Sequence, residues 1–209
     1  VYKRQASIIN IKKELITLGS ILKINSLSTT YVDSGHSNNN FYECKNIYAG
    51  SFHKTSCSSV MFKSLIQFDL YNLESRPLEY AYLCLYVKDI NSDTSYYSNN
   101  TLSVYKNLSN YDPKVVTWNT TPETDNVIHL NIASSEIGNY MKINITSFVN
   151  SWIKNDDNYG ITIESGNFYS SLVKFASSCS EKPPLLFVEY KNPKFDYSIY
   201  DDYKTHSLR

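Results

Sequence analysis

Acid–base or metal chemistry would be sought first at the four histidines, His36, His53, His129 and His206. Their spacing matches no metal-ligand or catalytic pattern. The chain has no HExxH, no phosphate-binding Gly–Lys loop and no strand–Ser–helix elbow. Glycoside hydrolysis needs two carboxylates held across a cleft. Glu123, Asp125, Asp156 and Asp157 are available, but all fall in turn-like segments where Asp is commonplace. The expectation is a protein without enzymatic activity.

Asp89-Ile90-Asn91-Ser92-Asp93 alternates oxygen-bearing side chains as the start of a calcium loop does. Thr94 stands where such a loop needs Gly, and Asn100 where it needs Glu. A solvated hairpin loop is therefore expected, and Asp156-Asp157-Asn158 reads as a turn. No cofactor is expected, calcium at the Asp89 loop being the one candidate.

The cysteines Cys44, Cys57, Cys84 and Cys179 lack CxxC spacing, which argues against zinc. Cys44 and Cys57 flank Ile47-Tyr48-Ala49-Gly50 and could staple a hairpin in an oxidising compartment. The alternative is four free thiols.

Tyrosine dominates the aromatic composition, with 19 Tyr against 2 Trp. Its ring is apolar and its tip polar, which suits half-wet surfaces and interfaces. In Ala81-Tyr82-Leu83-Cys84-Leu85-Tyr86-Val87 the period-two alternation predicts a strand with one aliphatic face, Ala81, Leu83, Leu85 and Val87. Tyr80, Tyr82 and Tyr86 then line the opposite face, alternate positions lying ~7 Å apart. Such a row fits a sugar chain or another protein surface, or a loop or the N-terminal extension covers it. Tyr96, Tyr97 and Tyr111 are candidates for the rim of the same site. Trp118 and Trp152 could stack on sugars, but packing in the core or a lid is the expected role.

The positioning elements are short alternating runs broken by polar turns such as 34–40, 91–100 and 155–158. In Ser64–Leu70 the residues Ile66, Phe68 and Leu70 face a core. Further strands are predicted at 20–25, 101–105, 128–132, 142–145, 159–164, 172–176 and 185–190. Phe148, Val149, Trp152 and Ile153 fall at helical spacing after Thr146 and Ser147, either of which could cap a short helix plugging the sandwich. The fold class is all-β, an antiparallel jelly-roll-like β-sandwich with one short helix.

Three regions follow: an N-terminal extension over 1–19, the sandwich over 20–191, and a Tyr/Asp/Lys-rich tail over 192–209. Residues 1–5 read codon for codon as a transposon end used in sequencing libraries and are expected to be an artefact at the edge of an assembled fragment, upstream of which a leader could lie. Ser7, Ile8, Ile9, Asn10 and Ile11 form an apolar extended segment able to complete a neighbour's sheet edge. Twenty basic against twenty acidic residues give no net charge, which steers the chain neither to nucleic acid nor to anionic lipid. No run of ~18 apolar residues predicts membrane insertion.

Read in order, Thr30–Gly35, Asn38–Phe41, Ser64–Leu70, Ala81–Val87, Val116-Thr117-Trp118-Asn119-Thr120-Thr121-Pro122, Ile145–Trp152, Asn158–Ile161 and Pro184–Tyr190 resemble a DNRLRE-type (disaggregatase-related) module over roughly residues 20–190. The resemblance implies a jelly-roll-like sandwich that clostridia and related anaerobes place on secreted and surface proteins. Some relatives bind carbohydrate, acidic polysaccharide included. Only Arg4, Arg76 and Arg209 are present, so no arginine cluster is available for an anionic glycan. The expected function is a non-catalytic extracellular or cell-surface module that is carbohydrate-binding, with polysaccharide as its partner, or adhesive. The alternative is a structural subunit of a spore-surface or extracellular filament whose partners are copies of itself.

Overall fold

A computed structural model describes residues 21–55, 58–91, 100–154, 157–166 and 171–191. The strands run β1 (Leu22–Asp33), β2 (Asn46–Thr55), β3 (Ser58–Phe68), β4 (Leu78–Asn91), β5 (Thr101–Asn107), β6 (Thr124–Asn131) and β7 (Tyr140–Asn144). Helix α1 (Thr146–Lys154) follows, then β8 (Ile161–Ser165), β9 (Leu172–Ala176) and β10 (Leu185–Tyr190). All pairings are antiparallel, as the all-β sandwich expectation requires.

Two layers result. One places β10 and β7 on either side of β4, with the first residues of β1 beyond β10. The other runs β1–β3–β8–β5–β6, with the later part of β1 pairing β3. Strand β2 joins the layers: its first half pairs β9, which in turn pairs the end of β4, and its second half pairs β3. Sharing β1 and β2 between sheets closes the sandwich at its corners.

The crossing of β2 explains why its strand is hard to read from sequence. Gly50 sits in mid-strand at φ +110°, and a Cβ there would lie 1.9 Å from the Ser171 carbonyl oxygen. Only glycine allows both that backbone and that approach. Gly160, at φ +80°, likewise lets β8 start against the Ile66 carbonyl, 2.3 Å from where a Cβ would sit.

Between the layers lies one aliphatic core. Ala81, Leu83, Leu85 and Val87 are fully buried in it, with Ile66, Phe68, Ile161, Ile163, Val173, Phe175, Leu186 and Val188. Each large aliphatic side chain so buried contributes roughly 1.5–3 kcal/mol. Leu70 packs half-buried against the same cluster. Helix α1 adds Phe148, Val149 and Trp152 from one face, so Trp152 is a core residue.

The capping differs from expectation. Asn144 Oδ1 accepts from the Thr146 amide at 3.0 Å, and the Ile145 carbonyl receives the amides of Phe148 and Val149. The Thr146 hydroxyl is turned to the sheet, where Ala81 N donates to it at 2.8 Å. That bond anchors the helix start to β4.

A second, smaller core lies on the outer side of the β3 sheet. Leu65 and Val32 point outward there and are fully buried by Tyr111 and Val116, with Trp118 packed against them. These three come from the β5–β6 connection, whose ends are joined by Leu108 N donating to Glu123 O at 2.8 Å. Asn40 Nδ2 ties it down from the β1–β2 connection, donating to the Pro113 and Val116 carbonyls at 3.0 and 2.7 Å. Trp118 is thus a lid, with Lys63 Nζ 5.1 Å from its ring centroid.

Candidate functional site

The outer side of the β4 sheet carries the tyrosines. Opposite the buried aliphatic row, Tyr80, Tyr82 and Tyr86 are half-buried and reach solvent, as strand alternation requires. The Tyr80 and Tyr82 rings approach to 4.9 Å, tilted 45°, closer than the backbone spacing alone would place them. The Tyr80 hydroxyl bonds to the Glu189 carboxylate on β10, which raises its pKa above the usual phenol value. Phe187 on β10 faces Tyr82 across the ladder, with Lys23 of β1 beside Phe187 and Lys142 of β7 beside Cys84 on the same side of the sheet.

At Cys84 the row is interrupted. Its side chain points to the same side as the tyrosines yet is 2% exposed, and burial pushes the thiol pKa up. Tyr140, paired with Tyr86 from β7, donates its hydroxyl to the Pro183 carbonyl at 3.1 Å, on the β10 side of β4. Its ring therefore lies across the strand and packs edge-on against Tyr86, centroids 5.4 Å apart. Partial burial raises the Tyr140 pKa, and the nearby Lys182 charge works against that rise.

Beyond this crossing is a cavity of about 340 Å³, lined by Tyr86, Lys45, Lys88, Cys179, Glu181 and Lys182 among others. Lys182 Nζ donates to the Tyr86 hydroxyl at 2.8 Å and lies 4.0 Å from its ring centroid. Lys88 Nζ donates to Asn46 Oδ1 at 2.7 Å. Three lysines and one glutamate thus line the cavity, and all three lysines are exposed.

The wall bearing Cys179 to Lys182 is held by its own bonds. Ser180 N and Oγ both donate to the Ser177 carbonyl, at 3.1 and 2.7 Å, and Cys179 N donates to Ser177 Oγ at 3.1 Å. Ser178 N donates to Thr29 Oγ1 at 2.9 Å, fixing the turn to β1. A wall built this way needs little ordering when a ligand arrives. The arrangement offers a half-exposed aromatic ring and three lysines in one lining, which suits a polar molecule carrying an anionic group.

Not every candidate joins this face. Tyr111 is 8% exposed in the second core, on the other sheet, because its connection folds inward over Leu65. It is not part of the rim. Burial raises its pKa, and its hydroxyl has no hydrogen-bond partner among the described residues. Tyr96 and Tyr97 lie outside the described residues, as do Ser7, Ile8, Ile9, Asn10 and Ile11. Cys44 is an exposed free thiol, and Cys57 lies outside the described residues.

Asp89 points to Lys174, 3.8 Å away, and Asp93 is outside the described residues. Among the described residues no three His, Cys, Asp or Glu converge as a metal site. Asp157 accepts the Tyr159 hydroxyl at 2.7 Å, while Glu123 and Asp125 are exposed on or beside β6. Asp33 caps the turn by accepting from the His36 amide at 2.7 Å, and His129 pairs with Ser103 at 3.0 Å on the other sheet.

Sequence reasoning missed Lys45, Lys88, Lys182 and Tyr140. Only Lys88 carried a signal, being next but one to Tyr86 on the same strand face. The other three arrive from separate segments. No helix among the described residues is long and apolar enough to cross a membrane.

A comparison with curated proteins finds no match. The model of carbohydrate-binding module family 96 matches residues 20–190, the whole of the sandwich just described, and the chain therefore belongs to that family.

Proposed function

We propose that the chain is a non-catalytic extracellular module that binds an acidic polysaccharide on the outer side of the β4 sheet. The observation that carries this is the cavity beside Tyr86, with Lys45, Lys88 and Lys182 around it and Glu181 as the one carboxylate of its lining. Lysines here take the part that arginines play in other anion sites, as point charges without a fixed fork. Tyr86 supplies the apolar ring against which a pyranose packs. The likeness to DNRLRE-type surface modules supports a place on a secreted or cell-surface protein.

The test is affinity electrophoresis or calorimetry with polygalacturonate, hyaluronate and chondroitin sulfate, against xylan as a neutral control. Acidic polymers are expected to bind, more weakly as salt is raised, and Tyr86→Ala or Lys182→Glu is expected to abolish the binding. Equal binding to xylan would remove the role of the lysines, and no binding to any polymer would overturn the reading.

The filament alternative has one supporting observation: among the described residues, β6 pairs only with β5, leaving an edge of eight residues. Such an edge can accept an extended segment of another copy. A chain lacking residues 6–19 should then be smaller in sizing experiments than the full chain. Identical elution of the two would sink this reading.

A further inference from the structure

We propose that the cavity takes the terminal unit of a saccharide chain and not an internal one, with Tyr140 as the residue that sets this preference. The proposal rests on the carbohydrate reading above and goes further by assigning the mode of recognition.

A row of outward tyrosines along one long strand suggests a polymer lying lengthwise on β4. The geometry contradicts that path. From Tyr82 to Tyr86 the strand runs ~13 Å, and midway along it Cys84 is sealed. Tyr140 reaches from β7 across β4 to the Pro183 carbonyl. Its ring then stands against Tyr86, over which the Lys182 ammonium lies 4.0 Å from the ring centroid. Tyr140, Tyr86 and Lys182 therefore form one continuous wall across the strand. The cavity lies on the Lys88 side of that wall, and Tyr80 and Tyr82 lie on the other.

A sugar unit seated against Tyr86 has its way toward Tyr82 closed. Along β4 only the direction past Lys88 is then open, so the seated unit is an end. The wall is braced by two hydrogen bonds to the Lys182-Pro183 segment, and pushing it aside would leave the Pro183 carbonyl and the Tyr140 hydroxyl without each other. Tyr140 does not line the cavity; it acts through Tyr86, as a positioning residue.

The experiment measures stoichiometry against chain length. Polygalacturonate, hyaluronate and chondroitin sulfate, each in a short and a long size fraction, are titrated with the full chain by calorimetry. For whichever polymer binds, the same number of protein molecules per chain is expected in both fractions, because ends do not multiply with length. Binding per gram is then higher for the short fraction. Tyr140→Ala is expected to open the wall, so that protein bound per chain rises with length. Tyr140→Phe keeps the ring, loses the hydroxyl bond and should show a smaller rise. A merely structural role for Tyr140 would alter stability and leave stoichiometry unchanged.

Wild-type stoichiometry that grows with chain length overturns the proposal while leaving the carbohydrate reading intact. Absence of binding to all three polymers overturns both. If Tyr140→Ala does not fold, the wild-type series and Tyr140→Phe still decide the matter.

Discussion

Leu65 and Tyr82 both point away from the central core, one from β3 and the other from β4, yet their surroundings are opposite. Leu65 is fully buried beneath Tyr111 and Val116, while Tyr82 is half-exposed to solvent. The difference lies in the connections. The β5–β6 connection is long enough to fold back over the β3 sheet and is tied there by Asn40. The β9–β10 connection stops at the rim of the β4 sheet, held by Ser177 and Thr29, and leaves a cavity beside it. The outer side of a sheet in this sandwich becomes core or site according to which loop lies over it.

The sharpest way to break that comparison is to truncate each outward residue. Leu65→Ala should lower stability by about 2–5 kcal/mol in urea unfolding without changing glycan binding. Tyr82→Ala should cost less than about 1 kcal/mol. Similar losses at the two positions would mean that the second core is not a core.

Next in size is Lys182→Ala. Losing a charged hydrogen bond at the cavity should weaken acidic-saccharide binding about tenfold, or ~1.4 kcal/mol, with unfolding little changed. The residual binding should depend less on salt. An unchanged dissociation constant would detach the lysine from the site.

Smaller and opposite in sign is Tyr111→Phe. The Tyr111 hydroxyl is buried with no hydrogen-bond partner among the described residues, so removing it should raise stability by about 1 kcal/mol. Destabilisation on this change would mean that the hydroxyl is satisfied within the second core.

The smallest effect concerns Cys84. Burial raises its pKa above the ordinary 9.0, so the folded chain holds the thiol proton more tightly than the unfolded chain does. Its contribution to stability is complete below pH 9 and declines as the pH climbs through the raised value. Cys84→Ala should flatten that alkaline decline in a series of urea curves. An unchanged decline would place its origin elsewhere. At neutral pH the exposed thiols of Cys44 and Cys179 should react with a disulfide reagent ahead of Cys84.

Much of the scaffold was legible because burial obeys a period of two. Ala81, Leu83, Leu85 and Val87 are the aliphatic face that alternation predicts, and Phe148, Val149 and Trp152 the helical one. Strand β2 was not legible, since Gly50 breaks the pattern at the point where the strand changes partners. The candidate site was legible only in part. Tyr80, Tyr82 and Tyr86 share an outer face as expected, but their equal standing did not survive. Tyr140 divides the row, a fact that depends on a hydrogen bond to Pro183 more than forty positions away.

By itself the sequence determined which side of each strand is apolar, hence a two-layer sandwich, because that pattern is written locally and every register must satisfy it. It also determined that tyrosines would face outward from β4. Which outward face stays open was decided by the tertiary structure alone. Loops and lysines from Lys45, Lys88 and Lys182 meet there only once the sheets close, and a gathering of charges across that much chain leaves no periodic trace.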